Sequence, residues 1–309
     1  MPIHIDPLSR RRFLHRTSIL SLATTATCLS AAEERYENWA LLSDTHIAAN
    51  PSETTGMGVT MAGNLKRVVA EVLKEKDSLS GVIVDGDCAY IDGQPEDYST
   101  LASLLSPLEE AGLPIHFTLG NHDDRDVFYG AYKSRAGSSP VASKHCTIIE
   151  TAHADLILLD SLRFVNKVEG EIGEEQLQWI TARLKENPDR PAILIGHHYP
   201  QVVRTDVIPG EKKIPISGLI DSEEFLKTIA DHPSAKAYIY GHSHNWTVKK
   251  DKAGIHQINL PPTAYVFDQS RPNGWVKATI GKNGMTLKLN ALDPSHGQNG
   301  EMHTLEWRS

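Results

Sequence analysis

The sequence predicts an α/β fold in which two β-sheets pack against each other in one domain, with helices outside. Three observations lead to this class. Short apolar runs alternate with amphipathic helical patterns over most of the chain, as expected for strands that alternate with helices. From about residue 255 the pattern changes to strands and turns. Five apolar runs end in clusters of Asp, Asn and His, as strands do when they deliver side chains to the carboxyl edge of a sheet.

The first part of the chain contains three predicted strands and two predicted helices. The strands cover residues 39–43, 81–85 and 114–118. A helix near 58–76 has Leu65, Val68 and Val72 on one face, and a helix near 97–111 ends at Gly112. This order of strands and helices predicts an α/β core.

The second part continues the alternation and then changes to strands alone. An antiparallel pair is predicted over 146–150 and 155–160, followed by helices near 173–186 and 222–231 and strands at 192–195 and 237–240. The last predicted strands cover 256–260, 275–280 and 285–289, with a hairpin signal at Asn283-Gly284. We expect residues 255–309 to complete the second sheet.

Composition limits the classes of function. A chain of 309 residues, 40% of them hydrophobic, can bury one substantial core or at most two. The formal net charge of −8 gives no basic footprint for nucleic-acid binding. Beyond the N-terminal segment the chain has two cysteines, Cys88 and Cys146, which are not a disulfide framework. They are predicted either to pair in an oxidising compartment or to be buried free thiols.

The N-terminus predicts an export signal. Residues 9–14, Ser-Arg-Arg-Arg-Phe-Leu, precede a short apolar segment that is rich in Ser and Thr. Paired arginines before such a segment resemble a twin-arginine signal, and the segment is too short to span a bilayer comfortably. We expect residues 1–32 to be a signal peptide and 39–309 to be a single domain. The twin-arginine export machinery is then a partner, the mature chain has no transmembrane helix, and the protein is periplasmic or extracellular.

The five polar clusters carry the chemistry. They are Ser43-Asp44-Thr45-His46, Asp85-Gly86-Asp87, Gly120-Asn121-His122-Asp123, Gly196-His197-His198 and Gly241-His242-Ser243-His244. Asp, Asn and His are common ligands of divalent metals. In an extended segment, residues two apart share one side, so Asp44 and His46 are predicted to reach one metal pair, as are His242 and His244. Such a set suits a hydrolytic site with two metal ions.

In order and spacing, the five clusters resemble the calcineurin-like metallophosphoesterases, and the resemblance covers roughly residues 39–265. It implies a four-layer α/β sandwich with a dinuclear metal centre. Carried over to this sequence, Asp44, His46 and His244 hold the first metal and Asp87 bridges both. Asn121, His242 and a histidine of the fourth cluster hold the second. The position of the glycine favours His197, and the position of Pro200 favours His198, so both are candidates.

The resemblance assigns His122 to catalysis instead of metal binding. It implies that His122 contacts the phosphoryl group and stabilises or protonates the leaving oxygen. We predict that Asp123 orients the ring of His122. Two metal ions roughly 3.5–4 Å apart would create a bridging hydroxide that attacks phosphorus in line. The metals are predicted to be Fe, Mn, Zn or Co, because Asp, His and Asn sites accept all of them.

Tyr90 is a departure from the pattern. Purple acid phosphatases, which are relatives in this superfamily, place an iron-binding tyrosine three residues after the bridging aspartate, and Tyr90 has this spacing from Asp87. They lack the histidine that this chain has at position 46. We predict that His46 is the ligand and that Tyr90 lies behind the ligands or in the core.

The sequence therefore predicts an exported, metal-dependent phosphoester hydrolase that acts on a small-molecule phosphoester. The first and third clusters look like those of the cyclic-nucleotide and glycerophosphodiester branch, so phosphodiesters are the preferred substrates. Two alternatives remain open: a phosphomonoesterase that resembles purple acid phosphatase, and a metal-binding module without catalytic activity.

Overall fold

The structure is a computed structural model, which describes residues 36–135, 137–201 and 217–309. The predicted export signal, residues 1–32, lies outside the described residues. Residues Tyr36–Ser309 form one unit with twelve described strands. Its elements in chain order are β1 (Glu37–Ser43), α1 (Met61–Lys74), β2 (Leu79–Asp85), α2 (Pro95–Glu110), β3 (Ile115–Thr118), α3 (Arg125–Ala131), β4 (Thr147–Glu150), β5 (Asp155–Leu158), α4 (Glu174–Glu186), β6 (Ala192–Ile195), α5 (Ser222–Ala230), β7 (Ala235–Tyr240), β8 (Thr247–Lys250), β9 (His256–Asn259), β10 (Gly274–Gly281), β11 (Gly284–Ala291) and β12 (Met302–Glu306).

The strands form two six-stranded sheets, which confirms the predicted α/β fold class of two sheets flanked by helices. The first sheet has the order β12-β11-β10-β1-β2-β3, and the second has the order β4-β5-β6-β7-β9-β8. Strands β1, β2 and β3 are parallel, as are β5, β6, β7 and β9. Parallel strands end at the same edge of a sheet, so each sheet brings several strand ends together there.

Strand alternation divides the core. In β1, Trp39 and Leu41 belong to the apolar cluster between the two sheets, whereas Ala40 and Leu42 belong to the cluster under the helices. Successive side chains of a strand point to opposite faces, so a strand buried on both faces is apolar throughout. Complete burial of a leucine side chain, such as that of Leu42, stabilises the fold by about 1.5–3 kcal/mol.

Helices cover the outer faces of both sheets. Leu65, Val68 and Val72 of α1 are buried at helical spacing against the first sheet, together with apolar residues of α2. Helix α2 has Pro95 at its first position and is followed by Gly112 with φ +84°, the left-handed conformation in which helices often end. Helices α4 and α5 cover the second sheet in the same way.

Two aspects of the fold differ from the sequence prediction. Residues 255–309 do not all complete the second sheet: β9 lies there, but β10, β11 and β12 extend the first sheet beside β1. The alternation of a strand shows which residues are buried but not which sheet it joins. Helix α3 and strands β8 and β12 were not predicted. Helix α3 has seven residues and β12 is mostly exposed, so neither has a strong periodic pattern.

Candidate metal centre

The register of the strands brings the polar clusters of the first sheet together. Ser43 of β1 is paired with Asp85 of β2, which is paired with Thr118 of β3. The residues that follow these three positions therefore emerge side by side. Beyond the strand ends the loops remain bonded, because the N–H groups of Asp44 and His46 donate to the carbonyls of Gly86 and Asp87.

Side chains from both sheets converge in two groups. Asp44, His46 and His244 form the first group, and Asp87, His197 and His242 form the second. Within each group the potential ligand atoms lie within 4.8 Å of one another. Asp87 also forms such a combination with His46 and His122, so it lies between the groups. A carboxylate in this place has two oxygens to share between two metal ions.

The distances show convergence on common points. In the first group, Asp44 Oδ1 lies 3.3 Å from His244 Nε2, and the Nε2 atoms of His46 and His244 are 3.1 Å apart. In the second group, Asp87 Oδ2 lies 3.1 Å from His197 Nε2. Ring nitrogens and carboxylate oxygens that approach one another in this way are arranged as the ligands of a cation are.

Backbone carbonyls fix the four imidazoles of these groups. Each ring has one nitrogen at a carbonyl oxygen: His46 Nδ1 at Tyr90 (3.4 Å), His197 Nδ1 at Asp85 (3.0 Å), His242 Nε2 at Ser217 (2.7 Å) and His244 Nδ1 at Tyr265 (2.6 Å). Because a carbonyl only accepts, the ring nitrogen that faces it donates. The other nitrogen of a neutral ring is then unprotonated and free to bind a metal, which is the usual arrangement of metal-binding histidines.

Unpartnered buried atoms also fit a metal centre. Asn121 Oδ1 and His242 Nδ1 are buried and have no hydrogen-bond partner among the described residues. A buried polar atom without a partner usually costs about 1–3 kcal/mol, so such atoms are rare in folded proteins. Both atoms belong to the predicted ligand set of the second metal, and coordination would satisfy them. Together with the two groups of potential ligand atoms, these atoms show that the residues present fit two metal ions.

The charges of the site are coupled across the two sheets. Burial raises the pKa of Asp87, but His197 and other histidines outweigh this effect and lower it well below its usual range. Burial lowers the pKa of His197, but the carboxylates of Asp87 and Asp44 raise it to about 10. Burial lowers the pKa of His46 to about 3 and that of His242 to about 4. The carboxylates are thus charged at neutral pH and the imidazoles of His46 and His242 are neutral, whereas His197 has to release a proton when it binds a metal.

The ligand candidates have an unusual backbone conformation. Among the described residues, six that are not glycine have a positive φ: Asp44 (50°), His46 (46°), Asp87 (45°), Asn166 (55°), His242 (65°) and His244 (48°). Five of these six are predicted ligands, and the N–H of the sixth, Asn166, donates to the carbonyl of Asn121. The left-handed conformation costs a residue other than glycine about 1–2 kcal/mol, so it persists only where the surrounding structure holds it. Such residues cluster at functional sites.

This conformation corrects part of the sequence argument. Asp44 with His46, and His242 with His244, were expected to share one side of an extended segment. The strands end at Ser43 and Tyr240, and all four residues are left-handed instead. Each pair is therefore placed by a strained turn. Glycines in the second and third clusters permit close approach, since a Cβ at Gly86 would overlap with His197 and one at Gly120 would overlap with Asp87.

The structure separates His197 from His198. His197 Nε2 faces the carboxylates of Asp87 and Asp44, at 3.1 and 3.8 Å, and belongs to the second group. His198 belongs to neither group, and its Nδ1 is hydrogen-bonded to Ser161 Oγ at 2.8 Å. Burial and the neighbouring imidazoles lower the pKa of His198 well below its usual value. Of the two candidates, His197 is the one that lies among the other ligand candidates.

His122 and Asp123 have different surroundings. The ring of His122 lines the metal cavity, and its Nδ1 lies 2.7 Å from the carbonyl oxygen of Ile91. Asp123 is fully buried, and its carboxylate accepts hydrogen bonds from the N–H groups of Cys88, Ala89 and Gly120 and from the hydroxyl of Tyr98. The prediction that Asp123 orients the His122 ring is therefore wrong. The Ile91 carbonyl holds that ring, and Asp123 connects the loop that follows β2 to the loop that follows β3.

Tyr90 contributes its backbone to the site. Its carbonyl faces His46, and its side chain packs against the apolar cluster beneath α1 and α2. His46 is the residue grouped with Asp44 and His244.

Sequence reasoning missed Tyr265 and Phe267, which line the cavity that also contains His46 and His122. Their only signal is an alternation of two aromatic residues soon after β9. Cys88 and Cys146 are both buried free thiols.

Fold and site together define a two-sheet α/β protein with a metal-ligand cluster at the shared strand edge. Residues 39–246 match the sequence pattern of the calcineurin-like phosphoesterase family. The chain is 28% identical over 252 residues to a probable cyclic nucleotide phosphodiesterase of Synechococcus, covering 79% of this chain and 88% of the relative. It is 24% identical over 260 residues to the glycerophosphodiester phosphodiesterase GpdQ of Enterobacter lignolyticus, covering 80% and 88%. A dimetal phosphatase from Danio rerio has the same fold, with a TM-score of 0.67 and 17% identity over 88% of this chain and 99% of that one.

The chain belongs to the calcineurin-like phosphoesterase family, and it is a phosphoester hydrolase. None of the helices in the described ranges is both long and apolar enough to cross a membrane.

Proposed function

We propose that this hydrolase uses two metal ions and prefers phosphodiesters to phosphomonoesters. The observation that carries the proposal is the pair of ligand groups that share one cavity, with Asp87 between them. The diester preference is supported by the relatives named as cyclic nucleotide and glycerophosphodiester phosphodiesterases. The metals are drawn from Fe, Mn, Zn and Co, which Asp, His and Asn ligands all accept.

Each sheet supplies ligands to both metals in this proposal. Asp44, His46 and His244 would hold the first ion, Asn121, His197 and His242 would hold the second, and Asp87 would be shared between them. When bound, the two ions lower the pKa of water and neutralise negative charge on the phosphoryl oxygens. The protein orients the ligands before binding, because a carbonyl holds each imidazole and hydrogen bonds fix Asp44 and Asp87.

His122 acts on the leaving group. With Nδ1 bonded to the Ile91 carbonyl, the ring keeps one orientation, and its Nε2 has no hydrogen bond to any of the described residues. A protonated His122 retains this bond and has a second proton, on Nε2, to give to the departing oxygen. The backbone N–H of His122 donates to Asp87 Oδ1 at 2.9 Å, which ties the proton donor to the residue between the two metal groups.

Metal analysis combined with a phosphoester panel tests the proposal. We expect two metal ions per chain after reconstitution with manganese, iron, zinc or cobalt, and faster hydrolysis of bis(4-nitrophenyl) phosphate than of 4-nitrophenyl phosphate. A faster monoester reaction would identify a phosphomonoesterase. Two bound metals with no turnover of any phosphoester would identify a metal-binding module.

Export by the twin-arginine route is a separate part of the proposal, supported by the arginines and the short apolar segment of residues 9–32. We expect the double variant Arg10→Lys, Arg11→Lys to accumulate in the cytoplasm with its N-terminal segment uncleaved. The variant Arg12→Lys is the matched control, because it leaves a pair of arginines. Fractionation and mass measurement of the N-terminus provide the readout, and equal export of both variants would contradict this route.

A further inference from the structure

Two aromatic side chains line one side of the cavity, and neither side chain has a role in the proposed chemistry. Tyr265 and Phe267 line the cavity of about 250 Å³ that also contains His46, Asp87 and His242. Val266 between them is buried. Two side chains at positions i and i+2 that face the cavity, with a buried residue between them, are arranged as in a strand. This segment therefore presents an aromatic surface to the cavity.

One face of Phe267 is covered by a ring, and no other ring among the described residues stacks on its second face. Its ring stacks on the imidazole of His244, with centroids 4.4 Å apart and an interplanar angle of 26°. It also meets the ring of Tyr265 edge to face, at 5.7 Å and 80°. Nevertheless 66% of Phe267 is exposed. A ring that two neighbours hold in place, yet remains largely exposed, is an ordered apolar surface at the mouth of the site.

The cavity consequently has a charged end and an apolar end. The imidazole of His244 separates them: its Nε2 lies 3.3 Å from Asp44 Oδ1, and its ring covers one face of Phe267. Val168, which is 47% exposed, also lines the cavity. A group esterified to a phosphate at the charged end is therefore only one imidazole ring away from Phe267.

This inference rests on the proposed phosphodiesterase function. We propose that Phe267, with Val168, determines specificity for phosphodiesters whose ester group carries a planar ring such as a nucleobase. The ring stacks on the second face of Phe267 and extends the stack that His244 begins. A base stacked on an aromatic side chain binds about ten-fold or more tightly than it does without that side chain. A diester of simple polyols has no ring to place there.

Steady-state kinetics test the inference with two substrates. Cyclic AMP carries a planar base, and glycerophosphoglycerol has no ring. We expect Phe267→Ala to lower the ratio of kcat/KM for cyclic AMP over glycerophosphoglycerol by about ten-fold, mainly through KM. Phe267→Trp should retain the ratio or raise it. Phe164→Ala is the matched control, because Phe164 is 57% exposed and is not among the residues that line the cavity.

A binding measurement separates this inference from the proposed function. We expect calorimetry to show AMP binding about ten-fold more weakly to Phe267→Ala than to the unaltered protein, with glycerol phosphate affected little. The inference is overturned if the variant changes both substrates by one factor, or if AMP affinity is unchanged, since Phe267 then only supports His244. A protein that hydrolyses neither diester but shows the AMP difference would overturn the proposed function and leave the aromatic site standing.

Discussion

The two sheets contribute different chemistry to the same site. The first sheet supplies every oxygen ligand candidate, Asp44, Asp87 and Asn121, together with His46. The second sheet supplies imidazoles alone, from His197, His242 and His244. Neither set is a complete site. The first sheet alone would bury carboxylates close to one another with little positive charge nearby, and the second sheet alone would present imidazoles with no carboxylate to balance them. The site is a property of the packed sandwich, and its charges balance only across the two sheets.

The two edges also differ in how they are held. Loops of the first sheet are bonded directly to one another, and the Asp123 carboxylate gathers the N–H groups of two of them. Two histidines of the second sheet are held in part by the first sheet: His197 by a carbonyl of β2, and His242 through its N–H by the Asp44 carboxylate. The oxygen ligands therefore belong to a framework formed within one sheet, whereas the imidazoles depend on the sheets being packed together.

Asp87→Ala is the most severe test of the ligands at the edge of the first sheet. Removal of the residue between the groups should lower metal content below one ion per chain and reduce kcat by about 10³-fold or more, because several kcal/mol of charge stabilisation depend on the metals. Asp92→Ala, an exposed change in the same loop, is the control and should have no effect on either. Elemental analysis and kinetics measure both quantities. If Asp87→Ala kept both metals and full activity, that would falsify the bridging assignment.

His197→Ala and His198→Ala test the edge of the second sheet, because these two adjacent histidines both follow β6. We expect His197→Ala to weaken the second metal by at least about 100-fold, since even residues behind the ligands cost 10–100-fold. His198→Ala should keep two metals and affect mainly the free energy of unfolding. Metal titration gives the comparison. A greater loss of metal in His198→Ala would transfer the ligand role to His198.

His122→Ala should separate catalysis from metal binding at the first edge. Both metals should remain, while kcat for a diester with a poor leaving group falls about 100-fold because the proton donor is lost. The loss should be smaller for 4-nitrophenyl esters, whose leaving group needs little protonation. Equal losses for good and poor leaving groups would argue against proton donation.

Asp123→Asn should affect stability more than chemistry. The amide would place an N–H group against the donors of Cys88, Ala89 and Gly120, which costs about 2 kcal/mol of unfolding free energy. For a domain of this size the melting temperature should fall by about 4–8 °C. Calorimetry and kinetics on the same sample test this. A large fall in kcat at an unchanged melting temperature would return Asp123 to a direct catalytic role.

The smallest expected effect concerns the left-handed turns. At His244, with φ 48°, a Gly variant should be about 1 kcal/mol more stable than an Ala variant, although both lose the imidazole. At His198, which is not among the residues with positive φ, the order should reverse. Chemical denaturation of the four metal-free variants measures the differences. The same order at both positions would show that the turn at His244 carries no strain.

The sequence by itself determined the fold class and the residue types of the site. Buried strands have a strong local signature, and the polar clusters at their ends include every residue of the two ligand groups. Sheet membership of β10, β11 and β12 was not readable, because alternation reports burial and not the neighbouring strand.

Only the tertiary structure decided how those residues are used. The grouping of His197 instead of His198, the role of Asp123 and the aromatic surface of Phe267 depend on contacts between segments far apart in the chain. Local patterns give the type and spacing of residues, but backbone turns and packing set the direction of each side chain. Five of the ligand candidates lie on left-handed turns and the whole set comes from two different sheets, so their arrangement exists only once the sheets have packed.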